Sequence, residues 1–206
     1  MDFKTEQEAF WAGEFGDDYN KRNKSAEYLA SSLNFFSKAF HQAGRPESLI
    51  EFGANVGVNL KAVKLLYPNI DLFGIEINKD AAIELANVIG NDNIYTGSIF
   101  DFETSRQYDV SLISGVLIHT NPEMLPHVYE KLHKTSRKYI LIGEYYNPSP
   151  VTITYRGHND RLFKRDFAGE MLEKYDDLKL VDYGFCYKRD KAFPQDDINW
   201  FLLEKQ

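Results

Sequence analysis

Residues 48–67 read SLIEFGANVGVNLKAVKLLY and place a strand, a glycine turn and a helix next to one another. The apolar run at 48–53 is typical of a buried strand, and the segment 58–67 has the apolar spacing of a helix. Between them, Gly53 fits a tight turn and Gly57 allows the helix to pack closely. A buried strand that leads directly into a helix is the repeating unit of a parallel sheet.

The same alternation continues towards the C-terminus. Strands are predicted at 70–77, 93–99, 108–114 and 138–144, and helices follow the strands at 70–77 and 108–114. Two further strands, 179–188 and 198–205, are joined only by a loop. We therefore predict an α/β fold: a Rossmann-like, doubly wound, mostly parallel seven-stranded sheet with a C-terminal antiparallel hairpin. Residues 46–206 are expected to form this domain, and residues 1–45 an N-terminal helical segment with a candidate lid.

The composition limits the classes of function. The chain has 206 residues, a formal net charge of -7 and a single cysteine, Cys186. An acidic chain lacks the broad basic face that nucleic acid or an anionic membrane requires, and no apolar run reaches the roughly 20 residues of a membrane span. The N-terminus has no secretory signal pattern, so we expect a cytoplasmic protein. Without a closely spaced set of Cys and His, no metal is predicted.

A ligand is expected beyond the carboxyl ends of the strands, where the first turn reads EFGANVGVN (51–59). In dinucleotide-binding folds the middle glycine of G-x-G-x-x-G admits a pyrophosphate, but Asn55 stands in that place here. Glu76, at the end of the second strand, can accept both hydroxyls of a ribose. The expected ligand therefore contains a ribose but no pyrophosphate.

Three stretches resemble the cofactor motifs of class I S-adenosylmethionine-dependent methyltransferases: EFGANVG (51–57), IEIN (75–78) and GSIFD (97–101). In that family the first loop receives the methionine part, the acidic end of the second strand holds the ribose, and the segment after the third strand flanks the adenine. Ser98 stands where the family often has aspartate, and Asp101 is the candidate substitute. The resemblance implies S-adenosyl-L-methionine as cofactor. The implied cofactor-binding residues are Glu51, Gly53, Ala54, Asn55, Gly57, Glu76, Ile77, Ser98, Ile99, Asp101, Ser114 and Gly115.

Nearly the whole chain also resembles the methylases associated with pseudaminic acid biosynthesis. The stretches that carry this resemblance are FWAGEFGDDYNKRN (10–23), SGVLIHTNP (114–122) and EYYNPSPVTITYRGHNDRLFKRDFAGEM (144–171). The resemblance implies a small anionic acceptor, a nonulosonic sugar of the pseudaminic acid type or its nucleotide-linked precursor.

The segment 144–167 is the predicted acceptor site. Between 155 and 166 it carries four basic and two acidic side chains, an excess that contrasts with the overall charge of -7. Arginine forks suit a carboxylate or a phosphate, so we predict that this segment binds an anion; a solvated helix start with internal ion pairs is the alternative. The substrate-binding candidates are Trp11, Tyr19, Tyr145, Asn147, Tyr155, Arg156, Arg161 and Arg165.

His119 follows the fourth strand, where the methyl acceptor is expected, and is the preferred general base for a hydroxyl acceptor. Tyr146 and His158 are the other catalytic candidates. A histidine that bonds loop backbone is the alternative reading of His119, and an amine acceptor would need no strong base. Two other classes of protein stay open: a Rossmann-type oxidoreductase and a non-catalytic regulator that binds a nucleotide cofactor. The oligomeric state is not predicted.

Overall fold

The computed structural model describes residues 3–13, 15–16, 25–157 and 161–206, so Tyr19 and His158 lie outside the described residues. The α-helices are α1 (Glu6–Ala12), α2 (Ala26–Ala39), α3 (Val58–Leu66), α4 (Lys79–Ile89), α5 (Leu125–Thr135) and α6 (Phe167–Lys174). The strands are β1 (Ser48–Phe52), β2 (Asp71–Glu76), β3 (Ile94–Thr96), β4 (Tyr108–Ser114), β5 (Ser136–Glu144), β6 (Val151–Thr152), β7 (Phe163–Lys164), β8 (Leu178–Cys186) and β9 (Ile198–Lys205). Short 3₁₀ turns occur at Asn91–Asn93, Leu117–His119 and Pro122–Met124.

The main sheet has seven strands in the order β3-β2-β1-β4-β5-β9-β8. Strands β1 to β5 pair in parallel, and β9 pairs antiparallel with both β5 and β8. The predicted doubly wound sheet with its C-terminal antiparallel hairpin is confirmed. The strand order reverses between β1 and β4, which is where open α/β sheets bind their ligands.

Helices cover both faces of the sheet. Successive residues of a strand point to opposite faces, so Leu49 packs in the core layer that contains α2, α3 and α4, while Ile50 packs in the layer that contains α5 and α6. Helix α2 contributes Phe35 and Phe36 to the first layer, and both rings are almost fully buried. The part of residues 1–45 that forms α2 is thus packed into the same core as the sheet, whereas the boundary at residue 46 stays a prediction.

The structure adds three local details. Strand β3 ends at Thr96 and is shorter than the predicted 93–99, because the chain turns at 98–101, where Asp101 N–H donates to Ser98 O at 3.1 Å. Asn121 caps a 3₁₀ turn at Pro122–Met124, and α5 begins only at Leu125. The segment 144–167 contains a small antiparallel pair, β6 with β7, that folds it back on itself.

Within the described ranges, none of the helices has the length and apolar character that a membrane crossing requires.

The burial of α2 generates a stability prediction. Phe36 is 0% exposed, so Phe36→Ala should lower the free energy of unfolding by about 3–5 kcal/mol through lost burial and a cavity. In urea titrations, fluorescence and far-UV circular dichroism should shift together in one transition. Leu65→Ala, at a position 58% exposed, is the control and should change stability by less than about 0.5 kcal/mol. A separate early transition in Phe36→Ala would mean that α2 unfolds independently of the sheet.

Candidate functional site

A cavity opens at the carboxyl ends of β1, β2 and β4, beside the reversal of strand order. Its walls include residues 53–56 after β1, 75–78 at the end of β2, and 114–116 and 119–121 after β4. Gln7, Glu8 and Trp11 of α1 form a further side. The lining residues follow β4, β1, β2 and β3, which are neighbours in the sheet in that order. The cavity therefore extends across these four strand ends.

The turn after β1 has a backbone that few side chains allow. Gly53, Asn55 and Gly57 all have positive φ angles, of 77°, 50° and 82°. A Cβ on Gly53 would stand 2.5 Å from a methyl of Val116, and one on Gly57 would stand 2.7 Å from Leu85 of α4. The two predicted glycines are therefore required by close packing as well as by their backbone angles.

The carboxylate of Glu76 is held by backbone hydrogen bonds at the wall of the cavity. Its side chain is 6% exposed, and its two oxygens accept the N–H groups of Asn55 and Asn78, each at 2.7 Å. Burial raises the pKa of this carboxyl, whereas the backbone donors lower it. The side chain that was predicted to hold a ribose thus also fixes the glycine turn and the start of α4.

Glu51 lies behind the cavity wall. One of its oxygens accepts the side-chain amide of Asn59 at 2.7 Å, and Asn59 itself lines the cavity. The other oxygen has no hydrogen-bond partner among the residues that the structure describes. Burial raises the pKa of Glu51 to about 8, so the carboxyl is protonated at neutral pH.

His119 lines the cavity on the β4 side. Its Nδ1 lies 2.5 Å from Arg161 O. Since a carbonyl oxygen only accepts, Nδ1 carries the proton and Nε2 keeps its lone pair. Burial lowers the pKa of His119 to about 4, so the ring is neutral in the physiological range. Both readings of His119 from the sequence are compatible with this geometry, since one nitrogen bonds loop backbone and the other does not.

Glu144, at the end of β5, orients the segment that carries His119. This 2% exposed carboxylate accepts the N–H groups of Val116 and Leu117 at 2.9 Å and that of Ile118 at 3.4 Å. Burial raises the pKa of Glu144 to about 7, and these donors oppose the rise. Sequence reasoning missed Glu144; an acidic residue at the inner end of an apolar strand was the available signal.

Helix α1 and the segment between β6 and β7 meet next to His119. The ring centroid of His119 lies 4.7 Å from Trp11 and 5.2 Å from Tyr155. Arg161 donates to Glu6 at 3.1 Å and lies over the ring of Phe10. We call Phe10, Trp11, Tyr155 and Arg161 the roof; Trp11 lines the cavity, whereas the other three contact Trp11 or His119 from outside the lining. The roof joins parts of the chain that are more than a hundred residues apart.

The predicted cofactor residues gather at this cavity, some in its lining and some behind it. Gly53, Ala54, Asn55, Glu76, Ile77, Ile99, Ser114 and Gly115 line it. Ser98 donates its hydroxyl to Glu8, and Asp101 forms an ion pair with Lys4 at 2.5 Å. These two predicted adenine-side residues are thus bound to the α1 region of the chain.

The predicted acceptor residues divide into two groups. Trp11, Tyr155 and Arg161 belong to the roof, and Arg156 lies over the rings of Phe15 and Tyr155. The others have partners elsewhere: the Tyr145 ring lies beneath Lys164, Asn147 Nδ2 donates to Ser149 O, and Arg165 is paired with Glu170 at 2.5 Å. The catalytic candidate Tyr146 has its ring centroid 5.9 Å from that of Phe201. Among the described residues, no group of three or more His, Cys, Asp or Glu is arranged to hold a metal ion.

No family model matches the chain, and no curated protein sequence matches it. Solved structures do share its fold. The 1,6-didemethyltoxoflavin-N1-methyltransferase of Burkholderia thailandensis, with its substrate and S-adenosylhomocysteine bound, is similar with a TM-score of 0.72 and 16% identity over 97% of this chain and 87% of that one.

Two further structures extend the comparison. The magnesium protoporphyrin IX methyltransferase of Synechocystis, with bound S-adenosylmethionine, has a TM-score of 0.68 and 10% identity over 100% of both chains. The N-methyltransferase NodS of Bradyrhizobium japonicum, with S-adenosylhomocysteine, has a TM-score of 0.68 and 13% identity over 97% and 96% of the two chains. The fold of this chain is therefore that of the class I methyltransferases.

The protonated Glu51 generates a prediction about pH. Its pKa is raised from 4.5 to about 8 on folding, so between these values the folded state retains a proton that the unfolded state has lost. Stability should then fall as the pH rises, by about 1.4 kcal/mol per pH unit from this group. Glu51→Gln cannot ionise, so its free energy of unfolding minus that of wild type should increase between pH 5 and pH 8.

Chemical denaturation at several pH values measures this difference. Glu173→Gln, on the exposed side of α6, is the control and should differ from wild type by a constant amount. A constant difference for Glu51→Gln would mean that Glu51 is ionised in the folded protein.

Proposed function

We propose that this protein is a methyltransferase that uses S-adenosyl-L-methionine to methylate a small molecule. The observation that carries the proposal is the buried carboxylate of Glu76, which faces the cavity at the end of β2. The chain shares its fold with methyltransferases that were crystallised with S-adenosylmethionine or S-adenosylhomocysteine. Fold and site therefore favour the same activity.

The residues of the cavity fit such a cofactor. The two oxygens of Glu76 accept the backbone N–H groups of Asn55 and Asn78, and because each carboxylate oxygen has more than one lone-pair site, acceptor capacity remains for a ribose hydroxyl. Ile77 and Ile99 supply apolar surface beside it, which suits the faces of a base. Gly115 has open space where a side chain would stand, so the backbone there is accessible to the methionine part.

When bound, the cofactor supplies a methyl group activated on a sulfonium sulfur. The chain contributes mainly by positioning the acceptor, which can supply about 7–11 kcal/mol of the barrier. We expect the rings of Trp11 and Tyr155, whose centroids lie 4.7 and 5.2 Å from that of His119, to limit the access of water to the β4 end of the cavity.

His119 is the residue we propose for handling the acceptor's proton. Its Nε2 retains a lone pair because Nδ1 donates to Arg161 O. The pKa of about 4 keeps this lone pair free at neutral pH, although it also makes the ring a weak base. A hydrogen bond from an acceptor hydroxyl or amine to Nε2 would orient the acceptor. Nε2 would then receive the acceptor's proton as the acceptor atom bonds to the methyl carbon and the bond from that carbon to sulfur breaks.

The acceptor class is the finer part of the proposal. The resemblance of the segments 10–23, 114–122 and 144–171 to the pseudaminic acid-associated methylases favours a nonulosonic sugar or its nucleotide-linked precursor. Arg161 of the roof and the neighbouring Arg156 suit a carboxylate or phosphate of such a sugar. Arg161 is 12% exposed at its side chain and already contacts Glu6, so an anion there would replace an existing carboxylate.

The cofactor proposal is tested by removing the Glu76 carboxylate. Wild type should bind S-adenosylhomocysteine but not NAD in calorimetry. Glu76→Ala removes charged hydrogen bonds worth about 1.5–3 kcal/mol each, so affinity should fall at least about tenfold. Because Glu76 also holds the glycine turn, circular dichroism must show that the variant is folded. Equal affinity in a folded Glu76→Ala would contradict the ribose role, and binding of NAD would favour an oxidoreductase.

The role of His119 is tested by turnover of labelled methyl donor across nonulosonic acids and their nucleotide forms. For a hydroxyl acceptor, His119→Ala should lower kcat by about 10²–10⁴-fold with little change in cofactor affinity. The wild-type to His119→Ala rate ratio should stay constant from pH 8 to about pH 5, since the pKa of His119 is about 4.

The exposed His127 provides the matched control. His127→Ala should retain wild-type kcat at every pH. Equal kcat in wild type and His119→Ala would make His119 a structural residue that only bonds the loop.

A further inference from the structure

Glu8 of α1 lies at the β3 end of the cavity, opposite to His119. It lines the cavity together with Gly97, Ile99 and Phe100. The hydroxyl of Ser98 donates to one Glu8 oxygen and accepts the N–H of Phe100 at 3.0 Å. A carboxylate from the N-terminal part of the chain is thus inserted beside the turn that follows β3.

The strand order defines which part of a ligand would meet this carboxylate. Gly97 donates its N–H to the backbone carbonyl of Glu76 at 2.8 Å, so the turn after β3 adjoins the residue whose carboxylate we propose to hold the ribose. On the other side of Glu76 lie the turns after β1 and β4, which end at His119. A nucleoside with its ribose at Glu76 and its reactive group towards His119 must direct its base towards residues 97–100.

We propose that Glu8 recognises the exocyclic amino group of the adenine base and so selects an aminopurine cofactor. This inference rests on the proposed function and assigns to α1 the acceptor group for the base. A carboxylate only accepts hydrogen bonds, and each of its oxygens has more than one lone-pair site. The oxygens of Glu8 accept from Ser98 and from Lys4 N at 2.6 Å, which leaves acceptor capacity for an amino group.

Helix capping is the competing explanation for Glu8. Thr5 accepts Glu8 N at 3.2 Å as the N-cap of α1, and Glu8 reaches back to Lys4 N, much as in a capping box. Capping alone would have no effect on which base is bound. Glutamine preserves capping and an amide oxygen but removes the charge, whereas alanine removes the acceptor. The two variants therefore separate the roles.

The experiment compares two ligands in each protein by calorimetry: S-adenosylhomocysteine and its analogue whose purine lacks the 6-amino group. Wild type should prefer the amino form by roughly tenfold to a hundredfold, because a hydrogen bond to a charged acceptor is lost in the analogue. Glu8→Ala should bind both ligands with nearly equal affinity, and Glu8→Gln should show an intermediate preference. The ratio of two dissociation constants in one preparation does not depend on its folded fraction.

Glu6→Gln provides the matched control on the same helix. Glu6 contacts Arg161 and is 80% exposed at its side chain, so its loss loosens the roof without altering the base end. It should retain the wild-type preference for the amino form. An unchanged preference in Glu8→Ala would overturn the assignment while leaving the proposed function intact. If wild type binds neither ligand, the proposed function fails, and the assignment of Glu8 fails with it.

Discussion

The hydrogen bonds to the buried carboxylate of Glu76 are the interaction on which the rest of the site depends. They join the end of β2 to the turn after β1 through Asn55 and to the start of α4 through Asn78. An uncompensated buried carboxylate is costly, so these donors must stay in place while the carboxylate is ionised. The positive φ angles at Gly53, Asn55 and Gly57 are what allow the turn to direct its N–H groups there. The same geometry that stabilises Glu76 places its carboxylate at the cavity, where we propose that it binds a ribose.

The second organising feature is the double role of α1. Glu8 and Trp11 are three residues apart and so lie on the same face of the helix, with Glu8 at the β3 end of the cavity and Trp11 against His119. Asn78, which caps α4 and donates its N–H to Glu76, also donates its side-chain amide to Trp11 O at 3.4 Å. One short helix thus extends along the proposed base, ribose and acceptor ends of the cavity. It is coupled to Glu76 through Asn78 and, on the β3 side, through Ser98 next to Gly97.

The sequence predicted the sheet well because its signals are local. Apolar runs, glycines and capping residues decide where β1, α3 and α4 begin and end, and the hairpin of β8 and β9 follows from the absence of a helix between them. Glu76 was identifiable because its position at the end of a strand is itself local. Ser98, which was predicted beside adenine, and Asp101, its candidate substitute, could not reveal their partners Glu8 and Lys4, because a contact across ninety residues leaves no periodic signal.

The acceptor segment shows the same limit more strongly. Arg161 and Arg165 are four residues apart in one basic stretch, yet Arg161 contacts Glu6 while Arg165 pairs with Glu170, which also accepts the hydroxyl of Tyr129 at 2.6 Å. Arg161 precedes β7 and Arg165 follows it, so the difference between them lies in their tertiary partners and not in the strand itself. Charge count alone therefore cannot tell these two arginines apart. The carbonyl oxygen of Arg161 also accepts from His119 Nδ1 and so fixes the tautomer of His119. Arg161 thus contacts the proposed base His119 through its carbonyl oxygen, while its side chain belongs to the proposed acceptor site.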